Sequence, residues 1–307
     1  MFGDPFDFVK DARRVSVPPM PEAFPPVTEH REGTFAGYGN LQLFYQVWRP
    51  PEPRALLVNL HGLGDHSGLY PNLAAHFPPR GIALYAYDMR GNGRSPGQRA
   101  YLGSWREYRE DLHAFLQRLR GWEAGMPLFL LGNSLGGLVV LDYALHYGGG
   151  LAGVIAAAPP LGRVGVPPML MSLGRVMSRI LPRFSLQVGM DLTGLARDPS
   201  VIEAVLADPL FHRRGTARLS TEVTAAIARV QDGAANLSVP LLILHGSADR
   251  MVPPDGSREF FSKVRQPDRE LREYPETYHG LFADVNSSEV LGDLERWLEA
   301  RIPGKGL

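Results

Sequence analysis

The chain has 307 residues, 44% of them hydrophobic, with a formal net charge of zero and no cysteine. That length suits one α/β domain carrying an insertion, and the balanced charge, with no long block of one sign, argues against nucleic acid as a partner. Without cysteine there is no disulfide, no thiolate metal ligand and no thiol nucleophile.

The opening MFGDPFDFVKDARRV carries acidic residues where a secretory leader places positive charge, and no apolar core segment follows it. No apolar span approaches the about 20 residues that cross a bilayer. A soluble, cytoplasmic protein is expected. The prolines cluster early, as in VPPMPEAFPPV, and again in VGVPPML. Both stretches read as extended connections.

Residues 33–49 predict a hairpin, with alternating apolar positions around Gly39 and Asn40. Five short apolar runs follow: ALLVNL (55–60), IALYAYD (82–88), LFLLG (128–132), GVIAAAP (153–159) and LLILHG (241–246). Such runs are the mark of parallel strands buried on both faces. Helical stretches separate most of them. SWREYREDLHAFLQRLRGW spaces Trp105, Tyr108, Leu112, Phe115, Leu116 and Leu119 along one helix face, with Ser104 as expected N-cap and Glu107 at the capping-box position. Strand and helix in alternation predict a parallel sheet with right-handed crossovers.

The alternation breaks between Leu161 and Asn236, in a helical, Met-rich stretch. Residues 1–160 and 237–307 therefore read as the core domain and 161–236 as a helical insertion above the sheet. Within it Met169, Leu170, Leu173, Val176, Met177, Ile180 and Leu181 fall on one helix face, and Arg175, Arg179 and Arg183 on the other. RELREYP reads as a short later strand, and LGDLERWLEARI as a closing amphipathic helix.

In LLGNSLGGLVV, Ser134 stands where a strand gives way to a helix. A nucleophilic serine must project into a cleft with backbone N–H groups ready for the oxyanion. A sharp strand-to-helix turn supplies both and crowds its neighbours, so small residues are required at Gly132 and Gly136. The alternative is that Ser134 only caps the helix. Context favours the nucleophile, because Asp249 follows the buried strand LLILHG and His279 lies in ETYHGLF further on. That is the order Ser, Asp, His, with His279 able to take the serine proton and Asp249 to hold its tautomer. Asp255 and Asp284 are rival acids, but neither directly follows the strand end. His61 and His245 read as structural. The backbone N–H groups of Leu135 and Leu63 are the candidate oxyanion donors, Leu63 lying between Gly62 and Gly64.

Blocks from about residue 55 to 285, among them HGLGDHSGLYPNLA, GNSLGG, ADPLFH, HGSADRMVPPDGS and YHGLFAD, make the chain resemble the monoacylglycerol lipase and lysophospholipase branch of the α/β-hydrolase superfamily. The resemblance implies a mostly parallel eight-stranded sheet flanked by helices, with a helical cap after the sixth strand. It also implies hydrolysis of monoacyl lipid esters through an acyl-enzyme, with no cofactor and no metal. The family's triad falls on Ser134, Asp249 and His279, and its oxyanion donors on Leu63 and Leu135. Asn92 and Asn133 stand where the family commonly has histidine.

In the cap, Met169, Leu170, Leu173 and Met177, with Met171 and Met190 nearby, are candidate acyl-chain contacts. The segment 166–186 either lies against an anionic lipid surface or packs its apolar face on the domain and solvates its arginines. Asp208 and His212 in DPLFHRRG either meet a glycerol head or, for Asp208, form an Asx turn capping the next helix. Short-chain esterase, acyltransferase and non-catalytic lipid-binding readings remain open on the same scaffold, as does the oligomeric state.

Overall fold

The computed structural model describes residues 29–162, 168–187 and 191–303, with 168–171 and 173 described as backbone only. The two Pro-rich connections, up to Pro167, lie outside the described residues. In chain order the elements are β1 (Glu29–Ala36), β2 (Gln42–Arg49), β3 (Ala55–Leu60), α1 (Pro71–His76), β4 (Ile82–Tyr87), α2 (Arg106–Trp122), β5 (Leu128–Asn133), α3 (Leu135–Tyr147) and β6 (Gly153–Ala157). The insertion follows as α4 (Pro168–Ile180), β7 (Ser185–Gln187), α5 (Pro199–Ala207), β8 (Arg214–Thr216) and α6 (Ala217–Gly233). The chain then returns through β9 (Leu241–Gly246), α7 (Asp255–Lys263), β10 (Arg269–Tyr274) and α8 (Ser287–Glu299).

Eight strands form one sheet in the order β1-β2-β4-β3-β5-β6-β9-β10. The β1–β2 and β2–β4 pairs are antiparallel and the rest parallel. Every residue of β3, β4, β5, β6 and β9 is buried, which is why these strands read as near-continuous apolar runs rather than alternating ones. Their side chains still alternate between faces. Leu56, Val58, Leu128 and Leu130 join a core layer with Phe115, Leu138 and Val230, whereas Leu57, Phe129 and Leu131 join a second with Leu73, Phe77 and Trp297.

The start of α2 differs from expectation. Its N-cap is Trp105, without a side-chain cap. Glu222 of α6 accepts from the Trp105 N–H at 2.7 Å instead, and Glu107 accepts from the Gly103 N–H at 3.1 Å while pairing with Arg90. A carboxylate distant in sequence thus satisfies one of the orphan donors at the start of α2, while the Glu107 N–H is taken by the Ser104 backbone carbonyl at 3.0 Å.

Within the insertion, β7 and β8 form a small antiparallel sheet beside the helices, a pairing that the helical periodicity did not signal. The α4 helix packs on α6 through buried Ser178, whose hydroxyl lies 2.9 Å from Thr221 Oγ1. Val176, Ile180 and Leu181, assigned to the apolar face, are exposed, Ile180 to 68%. At the other end of the insertion, Leu219, Ala226 and Val230 of α6 are buried in the core layer under α2 and α3. Among the described residues no helix is long and apolar enough to cross a membrane.

Candidate active site

Strand order places the site. The chain leaves β3 for β4 on one side and returns with β5 on the other, so the loops after β3 and β5 part at a topological switch point, where open α/β sheets gather their ligands. Leu60 is paired with Gly132 and Asn133 with Ala157, which aligns the strand ends at one rim. Ser134 follows β5 directly.

Its backbone has φ +52° and ψ −118°, outside the comfortable regions for a residue with a Cβ. Although Ser134 occupies the N-cap position of α3, its side chain makes no capping hydrogen bond, which disfavours the capping reading. A Cβ on Gly132 would overlap the Gly136 carbonyl, and one on Gly136 would overlap the carbonyls of Leu60 and His61. The turn is tight because the helix start is pressed onto β3. Gly136→Ala is accordingly expected to lower stability by about 1–3 kcal/mol through overpacking. A urea midpoint equal to that of the wild type would contradict this.

Asp249 lies in the loop after β9 and His279 in the loop after β10, where the fold brings them together: His279 Nδ1 is 2.7 Å from Asp249 Oδ2. The other carboxylate oxygen accepts from the N–H groups of Met251 (2.9 Å) and Val252 (2.8 Å). Burial opposes the charged form of Asp249, but His245, His279 and the Val252 N–H outweigh it and hold its pKa below the usual carboxylate range. With Nδ1 donating to the carboxylate, His279 has Nε2 left as a base. His245, read from sequence as structural, bonds Ser257 Oγ at 2.9 Å and the Val252 carbonyl at 2.8 Å, and also stands 3.4 Å from Asp249 Oδ2. Its supporting contact with the acid had no sequence signal beyond its i,i+4 spacing. Of the rival acids, Asp255 opens α7 with its side chain 83% exposed, and Asp284 is engaged by Arg197 and the N–H groups of Tyr278 and Val285.

The loop after β3 lies against the serine: a Cβ on Gly62 would stand 3.4 Å from Ser134 Cβ. His61 is fully buried, with Nδ1 bonded to the Gly62 carbonyl at 2.7 Å and Nε2 accepting from the Met89 N–H at 2.9 Å. Leu63 is next along this loop, and Leu135 opens α3, where first-turn N–H groups lack helical partners.

The DPLFH segment of the insertion closes over that loop. The His212 N–H donates to the Gly64 carbonyl at 3.1 Å. Gly64 has φ +80°, and a Cβ there would overlap the His212 carbonyl. Asp208 does form an Asx turn, Oδ1 accepting from the Leu210 N–H at 2.7 Å, but it closes α5 rather than opening a helix, and its Oδ2 lies 3.0 Å from His66 Nε2. Asn92 Oδ1 meets His212 Nε2 at 3.0 Å. Asn133 is buried at the end of β5.

Burial and then the Arg99 guanidinium lower the pKa of His212 from 6.5 to about 4. The fold thus favours neutral His212, a contribution complete above pH 6.5 and lost as pH falls from there through about 4. His212→Gln should therefore show a flatter decline of Tm with acidification across that window. Parallel declines would remove His212 as the cause.

Of the proposed acyl contacts, Met177 is half-buried. The side chains of Met169, Leu170, Met171 and Leu173, and all of Met190, lie outside what is described.

Residues 51–286 match the family described as Serine aminopeptidase, S33. The chain is 33% identical over 281 residues to a monoacylglycerol lipase of Mycolicibacterium smegmatis, covering 88% of this chain and 98% of the relative. It is 28% identical over 270 residues to the monoglyceride lipase of Homo sapiens, covering 86% and 89%. Among solved structures it is similar to the monoacylglycerol lipase of Paleococcus ferrophilus, with a TM-score of 0.76 at 31% identity over 89% of this chain and 99% of that one. With an eight-stranded α/β sheet and this degree of likeness, the chain belongs to the monoacylglycerol lipase branch of the α/β-hydrolase superfamily.

Proposed function

We propose that the protein is a serine hydrolase that cleaves the ester bond of monoacyl lipids, with Ser134 as nucleophile, His279 as general base and Asp249 orienting the imidazole. The observation that carries it is the 2.7 Å contact between His279 Nδ1 and Asp249 Oδ2, at the sheet rim that also bears the strained Ser134 turn. Ser134 Oγ attacks the ester carbonyl carbon as His279 Nε2 takes its proton, and the backbone N–H groups of Leu63 and Leu135 receive the oxyanion. Collapse of the tetrahedral intermediate breaks the bond to the alcohol, which leaves with the proton from His279. Water, activated by the same imidazole, then releases the fatty acid and restores the serine.

The likeness to proteins named monoacylglycerol and monoglyceride lipase supports the monoacyl class. Hydrolysis of p-nitrophenyl esters from acetyl to palmitoyl, beside 1-monooleoylglycerol and a lysophosphatidylcholine, tests it with wild type and Ser134→Ala in parallel. The expected result is serine-dependent release, greatest from monooleoylglycerol. Release confined to short esters would reduce the protein to a carboxylesterase, and acyl transfer to an added alcohol in preference to water would make it a transferase.

We further assign residues 161–236 as the cap, with Met169, Leu170, Leu173 and Met177 toward the acyl chain, and its outer surface as a contact for lipid. Supporting the lipid contact, Val176, Ile180, Leu181, Phe184 and Leu186 are exposed together beside exposed Arg175, Arg179 and Arg183. Apolar side chains among cations suit an anionic bilayer or micelle surface. Ile180→Ser with Phe184→Ser should reduce cosedimentation with phosphatidylglycerol vesicles while leaving hydrolysis of a soluble short ester unchanged. Undiminished cosedimentation would rule this surface out.

A further inference from the structure

The cap segment 192–197 reaches into both loops that carry the acid and the histidine. From the acid loop, Arg250 Nη2 donates to the Thr193 carbonyl at 2.9 Å. From the histidine loop, the N–H of His279 donates to the Gly194 carbonyl at 3.1 Å and that of Gly280 to the Leu195 carbonyl at 2.7 Å.

One side-chain pair fastens this contact. The Arg197 N–H donates to Asp284 Oδ1 at 3.0 Å, Nε spans both carboxylate oxygens at 3.2 and 3.1 Å, and Nη2 donates to Asn286 Oδ1 at 2.8 Å. The Asp284 side chain is wholly buried. Besides Arg197 it accepts from the N–H of Tyr278, the residue just before His279, at 2.9 Å, and from that of Val285 at 2.8 Å. Three consecutive N–H groups, of Tyr278, His279 and Gly280, are therefore held by acceptors that the cap either supplies or braces. Where the imidazole stands is set by that backbone. Without the guanidinium, Asp284 would be a buried charge with backbone donors alone, and a loop that relaxes by about 1 Å can cost a hundredfold in rate.

We propose that Arg197 of the cap is a positioning residue that, through Asp284, holds the loop bearing His279 in register with Ser134, an inference that rests on the hydrolase reading above. A pair that merely staples cap to core would change stability and leave turnover alone. The test is kcat and KM on p-nitrophenyl butyrate, with Tm, for wild type, Ser134→Ala, Arg197→Gln and Arg197→Lys. Arg218→Gln is the control, because Arg218 also ties the cap to the core, through the Gly103 carbonyl at 2.9 Å, yet has no contact with the histidine loop.

Arg197→Gln should lower kcat about ten- to hundredfold with KM changed by less than about twofold. Arg197→Lys, which keeps the charge and loses the fork, should fall between it and wild type. Arg218→Gln should lose Tm and keep kcat. If Arg197→Gln does not fold, Asn286→Ala, which removes only the Nη2 acceptor, should still lower kcat severalfold, and an unchanged kcat there would overturn the proposal. So would a folded Arg197→Gln with wild-type kcat, or an equal loss in Arg218→Gln, while Ser134-dependent hydrolysis left the hydrolase reading standing. A wild type that hydrolyses no ester, or an active Ser134→Ala, would overturn that reading and this inference with it.

Discussion

Purified Ser134→Ala protein is expected to be folded and to have lost about six orders of magnitude in kcat, which is to say all measurable ester hydrolysis. The substitution removes only Oγ. Because that hydroxyl makes no capping hydrogen bond, its loss leaves α3 as it was. The strained φ of +52° weighs on alanine as it does on serine, since both carry a Cβ. Wild type and variant should therefore melt together by circular dichroism while hydrolysis disappears. Oxyanion donors and binding alone still leave about 10³- to 10⁴-fold over water, too little to see against an intact nucleophile. Turnover retained in purified Ser134→Ala protein would defeat the proposed mechanism.

Asp249→Asn should cost about 10⁴ in kcat with little change in KM. The carboxamide oxygen can still accept from the Met251 and Val252 N–H groups, as Oδ1 does now. Its NH₂ then takes the place of Oδ2, where it faces His279 Nδ1 at 2.7 Å. Two donors cannot share that contact, so the imidazole shifts to the tautomer protonated at Nε2 and can no longer take the serine proton. His245, which also faces Oδ2, meets the same conflict, and a modest loss of Tm should accompany the loss of rate. A kcat within about tenfold of wild type would move the orienting role away from Asp249.

Much of the scaffold is local and was legible. Runs such as ALLVNL and LLILHG coincide with β3 and β9 residue for residue, because a strand buried on both faces is apolar at nearly every position, Asn59 and His245 being the polar members of these two. The small residues around Ser134 were legible for a similar reason: the clash they avoid lies within the turn and the strand beside it. Where reading failed, a distant group had replaced a local one. At the start of α2, Glu222 reaches the Trp105 N–H from another helix where a local side-chain cap was expected, and the apolar stripe of α4 is partly exposed because the helix is buried along Ser178 instead.

The sequence by itself determined the parallel α/β class, the chain order of serine, aspartate and histidine, and the insertion that interrupts the strands. The first and last follow from hydrophobic periodicity and its interruption along the chain, and the second from short motifs placed at strand ends. Only the tertiary structure decided that β5 returns beside β3, that His245 and His279 converge on one carboxylate, and that Arg197 and His212 of the insertion bond into the loops after β10 and β3. Those contacts join residues separated by whole elements, and strand order and the path of the insertion, which hydrophobic periodicity does not encode, determine which distant loops share a rim.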